Sequence, residues 1–175
     1  MKKTINLFVD MDGTVAKFYH DKKCLEKMYE QGYFANLPPY AIAKAINDFA
    51  DKETCVEIFI LSACVKSPYC EEEKTAWLLQ NMPNINPKNF IFTKVGESKL
   101  QKAYDKLGDI FNERVNVLLD DYTANLETWI SGNENMVAIK FINGFNNKSN
   151  KWQGKSTNNF NGLLNILNQI AMYGR

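Results

Sequence analysis

The sequence has few of the residues from which proteins build zinc sites. It contains 4 cysteines and 1 histidine, His20, in 175 residues, without a C-x-x-C pair. Zinc is held by clusters of these residue types. A zinc site is therefore not expected, and we interpret Cys64 and Cys70 as small packing or surface residues without a redox role.

An excess of charge of one sign is also missing. The 21 basic and 20 acidic residues leave a formal net charge of +1. A protein that holds a nucleic acid polymer or an anionic membrane surface generally carries a strong basic field. We therefore expect no partner of either kind, and any anion that this protein binds must be held by local geometry.

Long apolar runs are absent as well. The first apolar run begins at Ile5 and is broken at Asp10, far short of the roughly 20 residues that span a bilayer. We expect no signal peptide before this run. We expect a cytoplasmic protein with reduced thiols.

Short apolar runs alternate with segments of helical spacing along the whole chain. Consecutive Val, Ile, Leu and Phe residues are typical of strands buried on both faces. The runs are "INLFV" (5–9), "VEIFIL" (56–61), "NFIFT" (89–93), "VNVLL" (115–119) and "MVAIKF" (136–141). The helical segments are 40–50, 71–82, 99–111, 123–132 and 160–174. The alternation predicts an α/β fold with a doubly wound, mostly parallel, Rossmann-like sheet.

We expect one domain over residues 1–175, because no linker divides the chain. Residues 17–39, with "YFANLPPY", are too long for a simple turn and predict a small helical cap inserted after the first strand. Residues 143–159, rich in Asn, Gly, Ser and Lys, predict a loop.

Polar side chains follow three of the predicted strands. Asp10 and Asp12 come after the first strand, Ser62 after the second, and Asp120 with Asp121 after "VNVLL". The carboxyl ends of parallel strands meet at one edge of the sheet, where ligands bind. These side chains are therefore expected to share one pocket.

The spacing within "DMDG" has a chemical use. Residues i and i+2 of an extended segment point the same way, so Asp10 and Asp12 can face one ligand while Met11 enters the core. Gly13 allows a positive φ or a close approach. Converging carboxylates without histidine or cysteine indicate Mg²⁺, and carboxylates can also serve as nucleophile and as general acid and base.

Together these stretches resemble a known superfamily. "DMDGT", "ILSA", the lysines beyond it and "LLDD" are similar to the four motifs of the haloacid dehalogenase-like (HAD) phosphatases. Within this superfamily, the sequence is more similar to the 5'(3')-deoxyribonucleotidases and their bacterial relatives. That resemblance covers "DMDGTVAKF", "GYFANLPP", "ILSACVKSPYCEEEKTAW", "LLDDYTANLETW" and "IKFINGFN".

The resemblance implies a HAD-like fold and a magnesium-dependent hydrolase of phosphoric monoesters. Asp10 would be the nucleophile and a metal ligand. Asp12 would be the general acid and base, with its backbone carbonyl on the metal. Asp120 would be the second carboxylate ligand, supported by Asp121.

The resemblance also implies residues for the substrate. Ser62, with Ala63 beside it, would bind phosphate oxygens. Lys74, in "K-x-A-W", is favoured as the phosphate-binding lysine, and Lys99 is the alternative. The substrate would be a small phosphate ester, and we expect a nucleoside monophosphate. Its base would be held by Phe18 and Phe34, with Lys66 on the phosphate or base side.

Other interpretations stay open. The enzyme could act on another small phosphate ester, or the chain could be a catalytically silent nucleotide-binding module. In a structural interpretation the first aspartates form an Asp-Gly turn, Asp121 caps a helix that begins near Thr123, and Lys74 and Lys99 are solvated. A homodimer is compatible with the sequence.

Overall fold

The computed structural model describes residues 4–18, 22–52, 55–146 and 152–173. These residues contain six strands: β1 (Ile5–Val9), β2 (Val56–Cys64), β3 (Phe90–Lys94), β4 (Val115–Asp120), β5 (Met136–Phe141) and β6 (Lys155–Thr157). All neighbouring strands pair in parallel, in the order β3-β2-β1-β4-β5-β6. The central strand β1 therefore lies between β2 and β4.

The sheet is covered by helices on both faces. The helices are α1 (Lys22–Lys27), α2 (Ala41–Ala50), α3 (Cys70–Asn81), α4 (Lys99–Leu107), α5 (Asp109–Glu113), α6 (Thr123–Ile130) and α7 (Phe160–Tyr173), with a 3-10 helix at Pro87–Asn89. Apolar residues of α2, α3 and α7 pack in one core cluster, and those of α4, α5 and α6 in another. This arrangement confirms the predicted doubly wound α/β fold.

Burial on both sides explains the unbroken apolar runs. Every residue of β1 is buried, and its side chains alternate, with Leu7 in the first cluster and Phe8 in the second. Phe8 stacks on Phe59 at a centroid distance of 5.1 Å and meets the edge of Trp129 at 5.1 Å. In the described part of the chain, no helix has both the length and the apolar character that crossing a bilayer requires.

Three elements differ from the sequence prediction. Strand β6 lies within residues 143–159, which were expected to form only a loop; it is a three-residue edge strand without an apolar run. The predicted helix 99–111 is divided at Gly108, whose φ of +55° ends α4. Strand β2 continues to Cys64, so Ser62 lies inside the strand and not beyond its end.

Backbone hydrogen bonds join the two ends of the segment between β1 and α2, and a side chain of helix α3 binds its middle. The backbone N–H of Lys17 donates to the carbonyl of Pro38 at 2.8 Å. The carboxylate of Glu73 accepts the N–H groups of Gly32, at 2.5 Å, and Phe34, at 3.0 Å. This is the region of the predicted cap over residues 17–39, of which residues 19–21, including His20, lie outside the described residues.

Candidate active site

The first two carboxylates of the site are placed side by side by strand pairing. Val9 of β1 is in register with Leu119 of β4, so the residues that follow, Asp10 and Asp120, emerge at neighbouring positions of the carboxyl edge. The N–H of Asp10 donates to the carbonyl of Leu119 at 2.9 Å, which extends this pairing by one residue. Both carboxylates are buried.

Lys99 lies between these two carboxylates. Its Nζ is 2.6 Å from Oδ1 of Asp10 and 2.7 Å from Oδ2 of Asp120. Burial lowers the pKa of Lys99, but the two carboxylates outweigh it and the net pKa is raised. Lys99 is therefore a fixed ammonium at the first position of α4, where the side chain of Ser98 caps the helix by accepting the N–H of Gln101.

A third carboxylate, that of Asp121, completes a compact group. One oxygen each from Asp10, Asp120 and Asp121 lie within 4.8 Å of one another. Burial, with repulsion from Asp120 and Asp12, raises the pKa of Asp10 to about 7 despite the attraction of Lys99. Burial, with repulsion from Asp120 and Asp10, also raises the pKa of Asp121 well above its usual range. Carboxylates with such raised pKa values gain a great deal from a cation.

Asp12 has a different environment from Asp10. Its Oδ2 accepts a short hydrogen bond from Nζ of Lys74, which also donates to Oγ of Ser62 at 3.0 Å and to the carbonyl of Ala63 at 2.6 Å. The Lys74 ammonium also lies 4.7 Å from the centre of the Phe34 ring. The Oδ1 atom of Asp12 is buried and has no hydrogen-bond partner among the residues that the structure describes. One oxygen of Asp12 is thus fixed, and the other is available.

The carboxylate of Asp12 does not belong to the three-membered group, whereas that of Asp121 does. The candidate cation ligands among the described side chains are therefore Asp10, Asp120 and Asp121. The supporting role expected for Asp121 stays a prediction. A contribution of Asp12 through its backbone carbonyl stays a prediction.

Gly13 makes room for Asp121. Its φ is +81°, and a Cβ at this position would lie 2.7 Å from Cγ of Asp121. Such a separation is too short for two carbon atoms that are not bonded. The structure thus shows both properties that the sequence suggested for this glycine, positive φ and close approach.

Two structural interpretations of the sequence are wrong. Asp121 does not cap α6, since no side chain caps this helix and the N–H of Tyr122 is accepted by Asp120 at 2.8 Å. Lys74 and Lys99 are not solvated, because their side chains are only 0% and 6% exposed and pair with carboxylates.

Asp10, Asp12, Asp120 and Asp121 line a cavity of about 650 Å³. Phe18 and Phe34 line it, as do Ala63 and Lys99. Other lining residues are Leu25, Met28, Val65, Thr93, Val95, Gly96, Glu97, Ser98, Leu100, Tyr122, Ala124, Asn125 and Thr128. Ser62 is completely buried and holds Lys74, and Lys66 is exposed. The described residues that line the cavity do not include Ser62, Lys66 or Lys74.

Sequence reasoning missed two asparagines beside the site. Asn143 donates from Nδ2 to Oδ2 of Asp121 at 3.0 Å and to the carbonyl of Gly13 at 2.9 Å. Asn146 donates to the carbonyl of Asp121 at 3.1 Å. Both lie in "INGFN", a stretch that resembled the nucleotidase relatives and could have pointed to them.

No protein-family model and no curated protein matches this chain. Solved structures do match it. The structure of DsGPDH of Dunaliella salina has a TM-score of 0.52 at 17% identity, over 79% of this chain and 24% of that one. The crystal structure of a phosphoserine phosphohydrolase-like protein from Francisella tularensis subsp. tularensis SCHU S4 has a TM-score of 0.61 at 15% identity, over 95% of this chain and 99% of that one.

The chain thus spans about a quarter of the length of the first structure and almost the full length of the second. At these identities the likeness concerns the fold. It agrees with the parallel, Rossmann-like α/β architecture described above.

Proposed function

We propose that this protein is a magnesium-dependent phosphomonoesterase that hydrolyses nucleoside monophosphates to nucleoside and phosphate. One observation carries the proposal: two aspartates separated by one residue line the same cavity but have different neighbours. Asp10 joins Asp120, Asp121 and Lys99, while Asp12 is fixed by Lys74 and keeps one oxygen without a partner. The phosphoserine phosphohydrolase-like protein of the same fold supports the coarser assignment to phosphatases.

The three grouped carboxylates suit Mg²⁺ in their chemistry. Their donors are all oxygen atoms, from Asp10, Asp120 and Asp121, and Mg²⁺ is bound by one or two carboxylates with water and substrate phosphate. A bound Mg²⁺ would neutralise the carboxylates and the phosphate oxygens. It would also lower the raised pKa of Asp10, so that this carboxylate would be ionised and nucleophilic at neutral pH.

Asp10 and Asp12 then divide the reaction. A carboxylate oxygen of Asp10 forms a bond to phosphorus while the bond from phosphorus to the ester oxygen breaks. Asp12, in its protonated form, gives a proton to the departing oxygen. It then takes one from the water whose oxygen attacks phosphorus while the bond from phosphorus to Asp10 breaks. The Oδ1 atom of Asp12, which lacks a partner in the described part of the chain, is the oxygen suited to this proton.

Lys99 is better placed than Lys74 to touch the phosphate. An ammonium has three N–H donors, and those of Lys74 have three acceptors within the protein, on Asp12, Ser62 and Ala63. Lys99 has two protein acceptors and lines the cavity. We assign the phosphate contact to Lys99 and the orientation of Asp12 to Lys74.

The aromatic and apolar residues that line one part of the cavity favour a nucleoside as the leaving group. Phe18 and Phe34 line it together with Leu25 and Met28, all from the segment between β1 and α2. Flat aromatic rings contribute roughly 1–3 kcal/mol when a base stacks on them. This wall suits a base better than a small, fully polar ester.

Phosphate release from a panel of ribonucleoside and deoxyribonucleoside monophosphates, sugar phosphates and phosphoserine tests the proposal. We expect Mg²⁺-dependent turnover that is highest for a nucleoside monophosphate and is abolished in Asp10→Asn. The exposed Asp109→Asn is the matched control. Faster turnover of sugar phosphates or phosphoserine would contradict the nucleotide assignment, and no turnover of any ester by the wild-type protein would favour a silent binding module.

A further inference from the structure

The loop that follows β5 is built around the side chain of Asn143. Its Oδ1 accepts the backbone N–H groups of Phe145, at 3.0 Å, and Asn146, at 3.1 Å. Its Nδ2 donates to Gly13 and Asp121. Both ends of the amide are thus occupied, and one side chain connects the turn after β1, the end of β4 and the loop after β5.

Asn146 closes the same loop from the other side. Its Oδ1 accepts the N–H of Asn143 at 3.2 Å, and its Nδ2 donates to the carbonyls of Phe141, at 2.7 Å, and Asp121. The backbone of Asp121 is therefore held by Asn146, and its carboxylate by Asn143. Asn146 thus holds Asp121 in position, and Asn143 orients its carboxylate.

We propose that Asn143 is a positioning residue for the cation: it holds Oδ2 of Asp121 so that the carboxylate joins those of Asp10 and Asp120 as a third ligand. This inference rests on the proposed magnesium-dependent function. A carboxylate with one oxygen engaged by an amide has its rotation fixed and its other oxygen available. The donation to Gly13 sets this carboxylate against the turn that carries Asp10 and Asp12.

The direction of the hydrogen bond makes asparagine suitable at this position. A carboxylate of Asp121 needs a donor, and an amide supplies one without adding charge. A lysine would compete with the cation for Asp121. Removal of a residue that orients a metal ligand in this way commonly weakens metal binding by about 10-fold to 100-fold.

Binding of Mn²⁺ alone, followed by electron paramagnetic resonance on the full chain, tests the inference without turnover. The variants are Asn143→Ala and, as the matched control, Asn89→Ala. Asn89 is also partly buried and also donates to a backbone carbonyl, that of Ile58 at 2.9 Å, but it lies away from the carboxylates. We expect Asn143→Ala to weaken Mn²⁺ binding about 10-fold or more, and Asn89→Ala to leave it unchanged.

Turnover as a function of Mg²⁺ concentration gives a second readout that a merely structural role would not move. In Asn143→Ala the half-saturating Mg²⁺ concentration should rise about 10-fold, while kcat at saturating Mg²⁺ stays near that of the wild type. If Asn143→Ala does not fold, Asn143→Ser, which keeps one donor, should fold and show an intermediate affinity. Wild-type Mn²⁺ affinity in whichever variant folds overturns this inference alone, whereas no Mn²⁺ binding by the wild-type protein overturns the proposed function as well.

Discussion

Lys99 and Asp10 form a buried ion pair, with 2.6 Å between Nζ and Oδ1 and side chains that are 6% and 8% exposed. The same ammonium reaches Asp120, so one positive charge serves two carboxylates. Removal of one partner of a buried pair leaves an uncompensated charge, which is far more unfavourable than the loss of an exposed pair.

Lys99→Met should therefore reduce both stability and activity. Without added metal, the free energy of unfolding should fall by roughly 3–5 kcal/mol, as measured by denaturant unfolding. Phosphate release should fall by about 100-fold or more, because charge stabilisation of the phosphate is lost. The exposed Lys88→Met is the control; a Lys99→Met protein with full activity would show that another group binds the phosphate.

Metal binding should strengthen as the pH rises through about 7. Burial, with repulsion from Asp120 and Asp12, raises the pKa of Asp10 from 3.8 to about 7, and a cation must displace this proton at lower pH. Because the folded pKa lies above the unfolded one, the contribution of Asp10 to the stability of the metal-free protein is fully present below about pH 4. It is lost as the pH rises through about 7.

Thermal unfolding at pH 6 and pH 8, with and without Mg²⁺, measures this effect. The increase in Tm that Mg²⁺ causes should be larger at pH 8. The corresponding stabilisation free energy should rise by up to about 1.4 kcal/mol per pH unit for one displaced proton. Asp10→Asn removes one of the two carboxylates with a raised pKa and also one candidate ligand, so both the Mg²⁺ effect and its pH dependence should become smaller. An equal Mg²⁺ effect at both pH values in the wild type would contradict the raised pKa.

Gly13→Ala should disturb Asp121 as well as the backbone. An alanine with φ near +81° is unfavourable by roughly 1–2 kcal/mol, and its Cβ would also collide with the Asp121 carboxylate. Gly108→Ala is a matched control, because its φ is +55° and an added Cβ would meet no atom within 4 Å. We expect weaker Mn²⁺ binding in Gly13→Ala alone, and an equal affinity in both variants would argue against a ligand role for Asp121.

The fold could be predicted from the sequence wherever burial forces a residue type. Strand β1 has neighbours on both sides and helices on both faces, so all five of its residues are buried and none is charged. Strand β6 lacks this constraint, since it is a three-residue edge strand with two exposed residues. Its pairing with β5 depends on backbone hydrogen bonds, which leave little trace in the side chains.

The site was predictable in part for a similar reason. Asp10 and Asp120 could be placed together because they directly follow or end strands, whose order fixes their neighbours. The hydrogen-bond partners of the side chains could not be predicted. The sequence did not show that Lys74 would bind Asp12 or that Asn143 would reach Asp121. Asparagine is common in loops for local reasons, so its long-range contacts are hidden by its frequency there.

Glu73→Ala should loosen the segment that carries the aromatic wall. Its carboxylate accepts the N–H groups of Gly32 and Phe34, and each buried N–H left without a partner is unfavourable by about 1–3 kcal/mol. We expect faster proteolysis of this segment and a KM for a nucleoside monophosphate that is about 10-fold higher, equivalent to about 1.4 kcal/mol. The neighbouring exposed Glu72→Ala should change neither value.

The nucleoside assignment is tested most directly by removing a flat ring while keeping its apolar bulk. Phe18 and Phe34 both line the cavity and both contact Tyr33, by edge-to-face packing at 6.2 Å and 5.1 Å. In Phe18→Leu and Phe34→Leu, kcat/KM for a nucleoside monophosphate should fall by roughly 5-fold to 150-fold, the equivalent of 1–3 kcal/mol of stacking. The measurement is phosphate release at low substrate concentration.

The same variants should hydrolyse acetyl phosphate nearly as well as the wild type, since this acyl phosphate has no ring to stack and its phosphoryl group meets only the carboxylates and Lys99. Tyr29→Leu is the control within the same segment, because Tyr29 is 54% exposed and is not among the cavity-lining residues described. Unequal losses on the two substrates identify the rings as base-binding groups. Equal losses would instead mean that Phe18 and Phe34 act only by packing the segment over the carboxylates.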